Sequence, residues 1–219
     1  GDYYNPDFII SGDTTRVKGY VTDLTTDYAI NWLDHRDTTR PFCVLVWNKA
    51  PHRDWMPAIK YLHEFDSTHI PVPATFFDDY ATRTRAAKEQ KMEISKWLAP
   101  NYDLKENFNV REPYERLDSN WAAIFGRLSP GEQQAFIAAY TPANDDFRKA
   151  GLRGKELAVW KYQRYVKDYL RTIQSVDDNV GRILDYLQKN GLDKNTIVIY
   201  SSDQGFYLGE HGWFDKRFM

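Results

Sequence analysis

The sequence predicts an α/β protein: a parallel or mixed sheet flanked by helices, with a helix-rich insertion over about 76–154. Three observations predict it. "PFCVLVW" at 41–47 and "TIVIYSS" at 196–202 are apolar runs of strand length. A long amphipathic pattern at about 155–189 lies just before the second run. A strand, a long helix and another apolar strand make the pattern of a parallel βαβ crossover.

The elements follow in order. Residues 1–19 are polar and turn-rich. "VTDLTTDYAINWLDHR" at about 21–36 predicts a helix, with Thr22 or Asp23 as its cap and Leu24, Tyr28 and Trp32 on one face. "PFCVLVW" is too uniformly apolar for a sheet edge in water, so it predicts a buried strand. Its one cysteine, Cys43, is expected as an inert core thiol, and a single cysteine excludes an internal disulfide. "NKAPHRDW" is a loop, and three spaced prolines make 57–75 irregular. The stretch 76–154 holds short helical patterns such as "PGEQQAFIAAY" at 130–140, broken by Asn, Asp, Gly and Pro, and it is expected as an insertion carried on one domain spanning 1–219. In the long helix Leu170, Ile173, Val176, Val180, Ile183, Leu184 and Leu187 form an apolar stripe, and Gly191 ends it at the C′ position.

Composition narrows the function. With 42% hydrophobic and 27% charged residues the chain can bury a core and stay soluble. A net charge of -2 provides no basic field for nucleic acid. No run approaches the length of a membrane span. Aromatics make up 16%, with seven Trp and fifteen Tyr, which suits carbohydrate handling as well as large cores. Trp97, Tyr102 and Trp121 can stack on sugar rings or pack in the core.

In open sheets of this class ligands bind beyond the carboxyl ends of the strands. "NKAPHRDW" leaves one such end and "SSDQGFYLGEHGWFDKR" the other, so both loops fall on one rim if the strands are parallel. Asp203 and Gln204 offer oxygen donors only, which suits Ca²⁺ or Mg²⁺ better than Zn²⁺. Asp-Gln-Gly is equally good turn chemistry. Two residues also fall short of the roughly six to eight oxygens of a Ca²⁺ site. Lys216 can fold back to hold an anion as a point charge, or stand as a surface lysine. His52 can serve as anion donor or leaving-group acid, or be structural. His211, between Gly209 and Gly212, reads as a residue that holds loop geometry. Lys49 and Arg53 add positive potential. Asp177 and Asp178 sit on consecutive helix positions, about 100° apart, which favours structural roles.

"SSDQGFYLGEHGWFDKRFM", "APHRDW" after an apolar strand, and "YLRTIQSVDDNVGRILDYL" leading into "TIVIYSSD" resemble, in order and spacing, the sulfatase family of the alkaline-phosphatase-like superfamily. The likeness is greatest to its N-acetylglucosamine-6-sulfatases and weakest over 76–154. It implies that Asp203 and Gln204 are metal ligands, with Ca²⁺ the expected ion and Mg²⁺ second. It implies that Lys216 binds the sulfate and that His52 contacts the ester near its bridging oxygen. The implied partner is a sulfated sugar, with no nucleic acid or membrane, and the implied compartment is periplasmic, secreted or lysosomal. The family's nucleophile is a formylglycine made from Cys or Ser in a C/S-x-P-x-R motif, which these residues lack; Cys43 is followed by Val44-Leu45-Val46. The chain therefore reads as an internal fragment that is inactive alone. The alternatives are a phosphodiesterase or phosphonate hydrolase of the same superfamily, and a glycan-binding protein without catalysis.

Overall fold

One helix organises the molecule. In the computed structural model, which describes residues 2–108 and 116–217, helix α6 runs from Gly154 to Lys189, and the helices Val21–His35, Ile94–Trp97 and Pro130–Ala150 pack along it. It ends as predicted: Gly191 takes φ +66°, and its amide and that of Leu192 return to the carbonyls of Gln188 and Leu187. Its inward face departs from the predicted stripe. The buried positions include Tyr162, Tyr165, Val166 and Val176, and also Asp168, Arg171, Thr172, Ser175 and Asn179. Of the predicted stripe Val176 and Leu187 are buried, whereas Leu184 is exposed. The centre of the helix faces other polar groups, so its buried stripe is not an apolar one.

Before it in sequence lie β1 (Asp7–Ile10), β2 (Asp13–Arg16), α1 (Val21–His35), α2 (Arg85–Glu89), α3 (Ile94–Trp97), α4 (Arg116–Phe125) and α5 (Pro130–Ala150). After it come β3 (Tyr207–Leu208) and β4 (Phe214–Asp215). Helix α1 forms where predicted, but its N-cap is Tyr20 and no side chain caps it, so neither Thr22 nor Asp23 has that role. Thr22 is instead buried, and Asp23 accepts a hydrogen bond from Asn179 Nδ2 at 2.6 Å. That bond, with Arg182 to Asp27 at 2.5 Å and Tyr186 to Asp34 at 2.7 Å, joins α1 to α6 along a polar seam. The seam turns Val21, Thr22, Thr26 and Leu33 inward and leaves Tyr28 and Trp32 largely exposed. Residues 57–75 are irregular as expected, apart from a single helical turn at Ile59–Tyr61.

Helix α5 shows local signals agreeing with each other. Ser129 and Glu132 form a reciprocal capping box, Pro130 sits at the first turn, and Gly151 closes the helix at φ +59°. Within the predicted insertion, residues 109–115 lie outside the described residues. The described part adds Trp121, Phe125, Phe136 and Tyr140 to a core cluster shared with Tyr3, Tyr4, Tyr20 and Met56. A second cluster gathers Trp55, Phe76, Ile94, Leu98, Leu104, Tyr165, Val166 and Phe214.

Between the clusters lies a buried charge network. Asp168 is fully buried, with Lys105 Nζ 3.0 Å and Arg171 Nη1 3.0 Å away, and Tyr140 donates to it at 2.6 Å. Burial alone would raise the Asp168 carboxyl, but the charges of Lys105, Arg171 and Arg164 outweigh it and hold the group below its ordinary value. Asp178, predicted to be structural, binds Lys60 at 2.9 Å and accepts from Tyr61.

The two predicted strands stand unpaired. Among the described residues 41–47 and 196–202 pair with no strand, and the observed sheets are the antiparallel hairpins β1–β2 and β3–β4. Along 41–47 burial alternates strictly between exposed and half-buried, the period of a strand with only one face covered. Cys43, expected in the core, is exposed. Along the second run Ile197 and Ile199 are 89% and 83% exposed. Both runs carry strand composition, but neither finds a neighbouring ladder to bury it.

Candidate active site

The loop after 41–47 turns sharply through Lys49 to Trp55. His52 Nδ1 lies 2.7 Å from the Arg53 carbonyl, and Lys49 Nζ reaches that same carbonyl at 3.3 Å and the Asp54 carboxylate at 3.2 Å. With Nδ1–H donating to the carbonyl, Nε2 is left for a ligand. Partial burial pushes the His52 imidazole below its ordinary value, and the charges of Lys49 and Lys216 push the same way against the Arg53 carbonyl.

Arg53 is held harder than His52. It grips Asp103 through two nitrogens at 2.7 and 2.5 Å, and Asp103, fully buried, also accepts from the Ala99 amide at 2.7 Å. The guanidinium also lies 5.1 Å over the Phe214 ring and 5.4 Å over the Tyr102 ring. Lys105 supports the loop from beneath, donating to the Asp54 carbonyl at 3.2 Å.

Trp55 draws the separate loops together. It is fully buried, and its ring lies 6.1 Å from Phe206, 6.3 Å from Phe214 and 4.7 Å from Tyr165. It follows His52 by three residues; Phe206 follows Gln204 by two; Phe214 precedes Lys216 by two. One indole therefore underlies the three segments that carry the four predicted site residues. Nothing in the motif spacing points to Trp55. A large aromatic closing a charged loop was the available signal.

The predicted residues differ in setting. Asp203 and Gln204 occupy an exposed bend that Ser202 stabilises by donating to the Gln204 carbonyl at 2.7 Å. Lys216 is half-buried. His211 is a geometry residue: Nδ1 lies 2.7 Å from Asp78, the backbone amide donates to Thr75, and its carbonyl accepts from Tyr80 at 2.5 Å. Gly209 beside it is required, because φ is +106° and a Cβ there would come 2.7 Å from the Tyr162 ring.

Among the described residues no group of three or more His, Cys, Asp and Glu is gathered to hold a metal. Asp203 and Gln204 fit a hard cation by their chemistry, as two oxygen donors of a larger set. No helix among the described residues is long and apolar enough to cross a membrane.

A cleft of about 390 Å³ opens beside His52 and Arg53, bounded also by Tyr102, Leu117, Asn120 and Arg217. Of the three aromatics singled out for sugar stacking, only Tyr102 lines it. Trp121 is buried in the core and Trp97 belongs to α3, under Lys91.

The segments that carry His52, the Asp203–Gln204 pair and Lys216 thus meet at one aromatic cluster. Comparison with known proteins gives the chain its family. The sulfatase family model matches residues 2–217, and the chain belongs to the sulfatase family. It is 48% identical over 219 residues to an N-acetylglucosamine-6-O-sulfatase of Bacteroides thetaiotaomicron, covering 100% of this chain and 39% of that protein. It is 21% identical over 221 residues to the Homo sapiens N-acetylglucosamine-6-sulfatase, covering 98% of this chain and 29% of the relative. A solved structure of a protein bound to its substrate, D-glucosamine-2-N,6-O-disulfate, matches with a TM-score of 0.93 and 48% identity, over 100% of this chain and 44% of that one. The fold is thus a part of the alkaline-phosphatase-like α/β architecture, and the chain spans well under half the length of these relatives.

Proposed function

We propose that the protein is a sulfuric ester hydrolase that removes 6-O-sulfate from N-acetylglucosamine in glycosaminoglycan or mucin-type glycans. The observation that carries this reading is the convergence of the His52, Asp203 and Lys216 segments on Trp55. The relatives named above, and the disulfated glucosamine bound by one of them, support the substrate.

The residues of this chain divide the work. Lys216, with Lys49 nearby, places positive charge where a sulfate would sit. The Arg53 carbonyl orients the His52 ring, so that Nε2 serves the departing sugar oxygen and, when protonated, gives it a proton. Asp203 and Gln204 would hold Ca²⁺ together with further ligands; when bound, the ion neutralises charge on the sulfate oxygens. The 219 residues contain no C/S-x-P-x-R motif for formylglycine, so this chain on its own is expected to release no sulfate.

The test is sulfate release by the full-length protein from 6-sulfated N-acetylglucosamine. His52→Ala is expected to lower kcat/KM by about 10²–10⁴-fold, the usual contribution of a positioned acid. A general acid must be protonated, so activity through His52 falls as pH rises through its pKa. Because that pKa is depressed, the falling limb in kcat/KM lies below the ordinary 6.5 of histidine, and His52→Ala abolishes it. Preference for phosphate esters over the sulfated sugar sinks the reading.

A further inference from the structure

The cleft beside His52 has a second wall, built by residues outside the sulfatase motif. Leu117 and Asn120 stand three residues apart on α4 and so share a helix face, with the Asn120 side chain exposed. Tyr102 stands on the tight turn 99–106. Backbone bonds from Asp103 and Leu104 to Ala99, from Lys105 to Asn101 and from Glu106 to Pro100 fix that turn. Asp103 then ties it to Arg53, whose guanidinium covers the Tyr102 ring. Partial burial and the Asp54 charge push the Tyr102 phenol up to about 12, so at neutral pH it is an uncharged hydroxyl.

The wall therefore offers a pinned aromatic ring, an aliphatic patch, a hydroxyl and an amide, and none of these is a cation. His52, Arg53 and Arg217 complete the lining of the cleft, with Arg53 paired to Asp103 and Arg217 to Asp215. Its volume of about 390 Å³ falls within the roughly 300–1,000 Å³ of small-molecule sites. A sugar ring with hydroxyl and amide substituents matches the side built by Tyr102, Leu117 and Asn120, and His52 lies at the same cleft.

We propose that Tyr102, Leu117 and Asn120 form the sugar-side subsite, Asn120 and the Tyr102 hydroxyl hydrogen-bonding substituents of the ring while the Tyr102 ring and Leu117 pack against it. This rests on the sulfated-sugar reading above and goes further by assigning specificity to the turn at 99–106 and to α4. Arg53 is a positioning residue in this arrangement, because it locks the Tyr102 turn to the His52 loop.

The experiment compares kcat/KM of the full-length protein on 6-sulfated N-acetylglucosamine and on 4-methylumbelliferyl sulfate, which offers no sugar hydroxyls. Asn120→Ala and Tyr102→Phe are each expected to lower the sugar-to-aryl ratio about tenfold, the worth of one hydrogen bond to substrate. Asn120 is exposed and Tyr102→Phe keeps the ring, so both variants are expected to fold with wild-type melting temperatures. An unchanged ratio in both variants, with the wild type active on the sugar, overturns the subsite and leaves the sulfatase reading standing. A wild-type protein that cleaves the aryl ester but not the sugar overturns the 6-O-sulfate reading, and the subsite with it.

Discussion

Two stretches of this chain reverse the usual rule of burial. Residues 196–200 are apolar and β-branched, yet Ile197 and Ile199 are almost bare. Residues 165–179 of α6 carry Asp168, Arg171 and Asn179, and those three are buried. The difference lies in what each stretch meets. A strand buries its side chains only when neighbouring strands satisfy its backbone, and no described residue does that for 196–200. A helix satisfies its own backbone, so its buried face is free to carry charge if partners surround it. Here Lys105, Tyr140 and Arg171 surround Asp168.

Replacing the centre of the buried network is the hardest test of that contrast. Asp168→Ala leaves Lys105 and Arg171 buried without their shared anion, and is expected to cost about 3–5 kcal/mol. Urea denaturation of the 219-residue chain measures it, and a loss below 1 kcal/mol would mean that the network is not needed for folding. Acid offers a gentler route to the same group. The Asp168 carboxyl titrates lower in the folded chain than its ordinary 3.8, so its contribution is complete above that value and is lost as pH falls through the folded pKa. The expected outcome is a urea midpoint that drops more steeply below pH 3.8 in the wild type than in Asp168→Asn. The smallest effect belongs to the bare stretch. Ile197→Ser in this chain is expected to shift stability by no more than about 0.5 kcal/mol, since the side chain meets almost nothing. A larger loss by the same denaturation experiment would show that the stretch is covered in solution.

The helices were legible in the sequence because their signals are local. Gly191 marks an end that the structure reproduces, whereas the Ser129–Glu132 box and Gly151, signals of the same local kind, bound an α5 longer than the short patterns expected there. The face of α1 was not legible, because Tyr28 and Trp32 look like core residues while a polar seam to α6 decides the rotation. Cys43 is exposed and the two apolar runs meet no strand among the described residues for one reason: periodicity reports the capacity to pair, whereas pairing needs a partner distant in sequence. At the site, motif order was enough to nominate His52, Asp203, Gln204 and Lys216. The means by which the loops are joined, Trp55 beneath and the Arg53–Asp103 clamp beside it, depends on contacts across 50 residues and more, which no local pattern encodes.

Trp55 also holds its backbone at φ +41°, a left-handed conformation that a bulky side chain rarely adopts. Such a residue stays put only because its surroundings clamp it. Like the shared foot of a tripod, it stands under all of its loops at once. Because the loops that carry His52, Asp203 and Lys216 all rest on it, replacing this one indole is expected to disturb the three together.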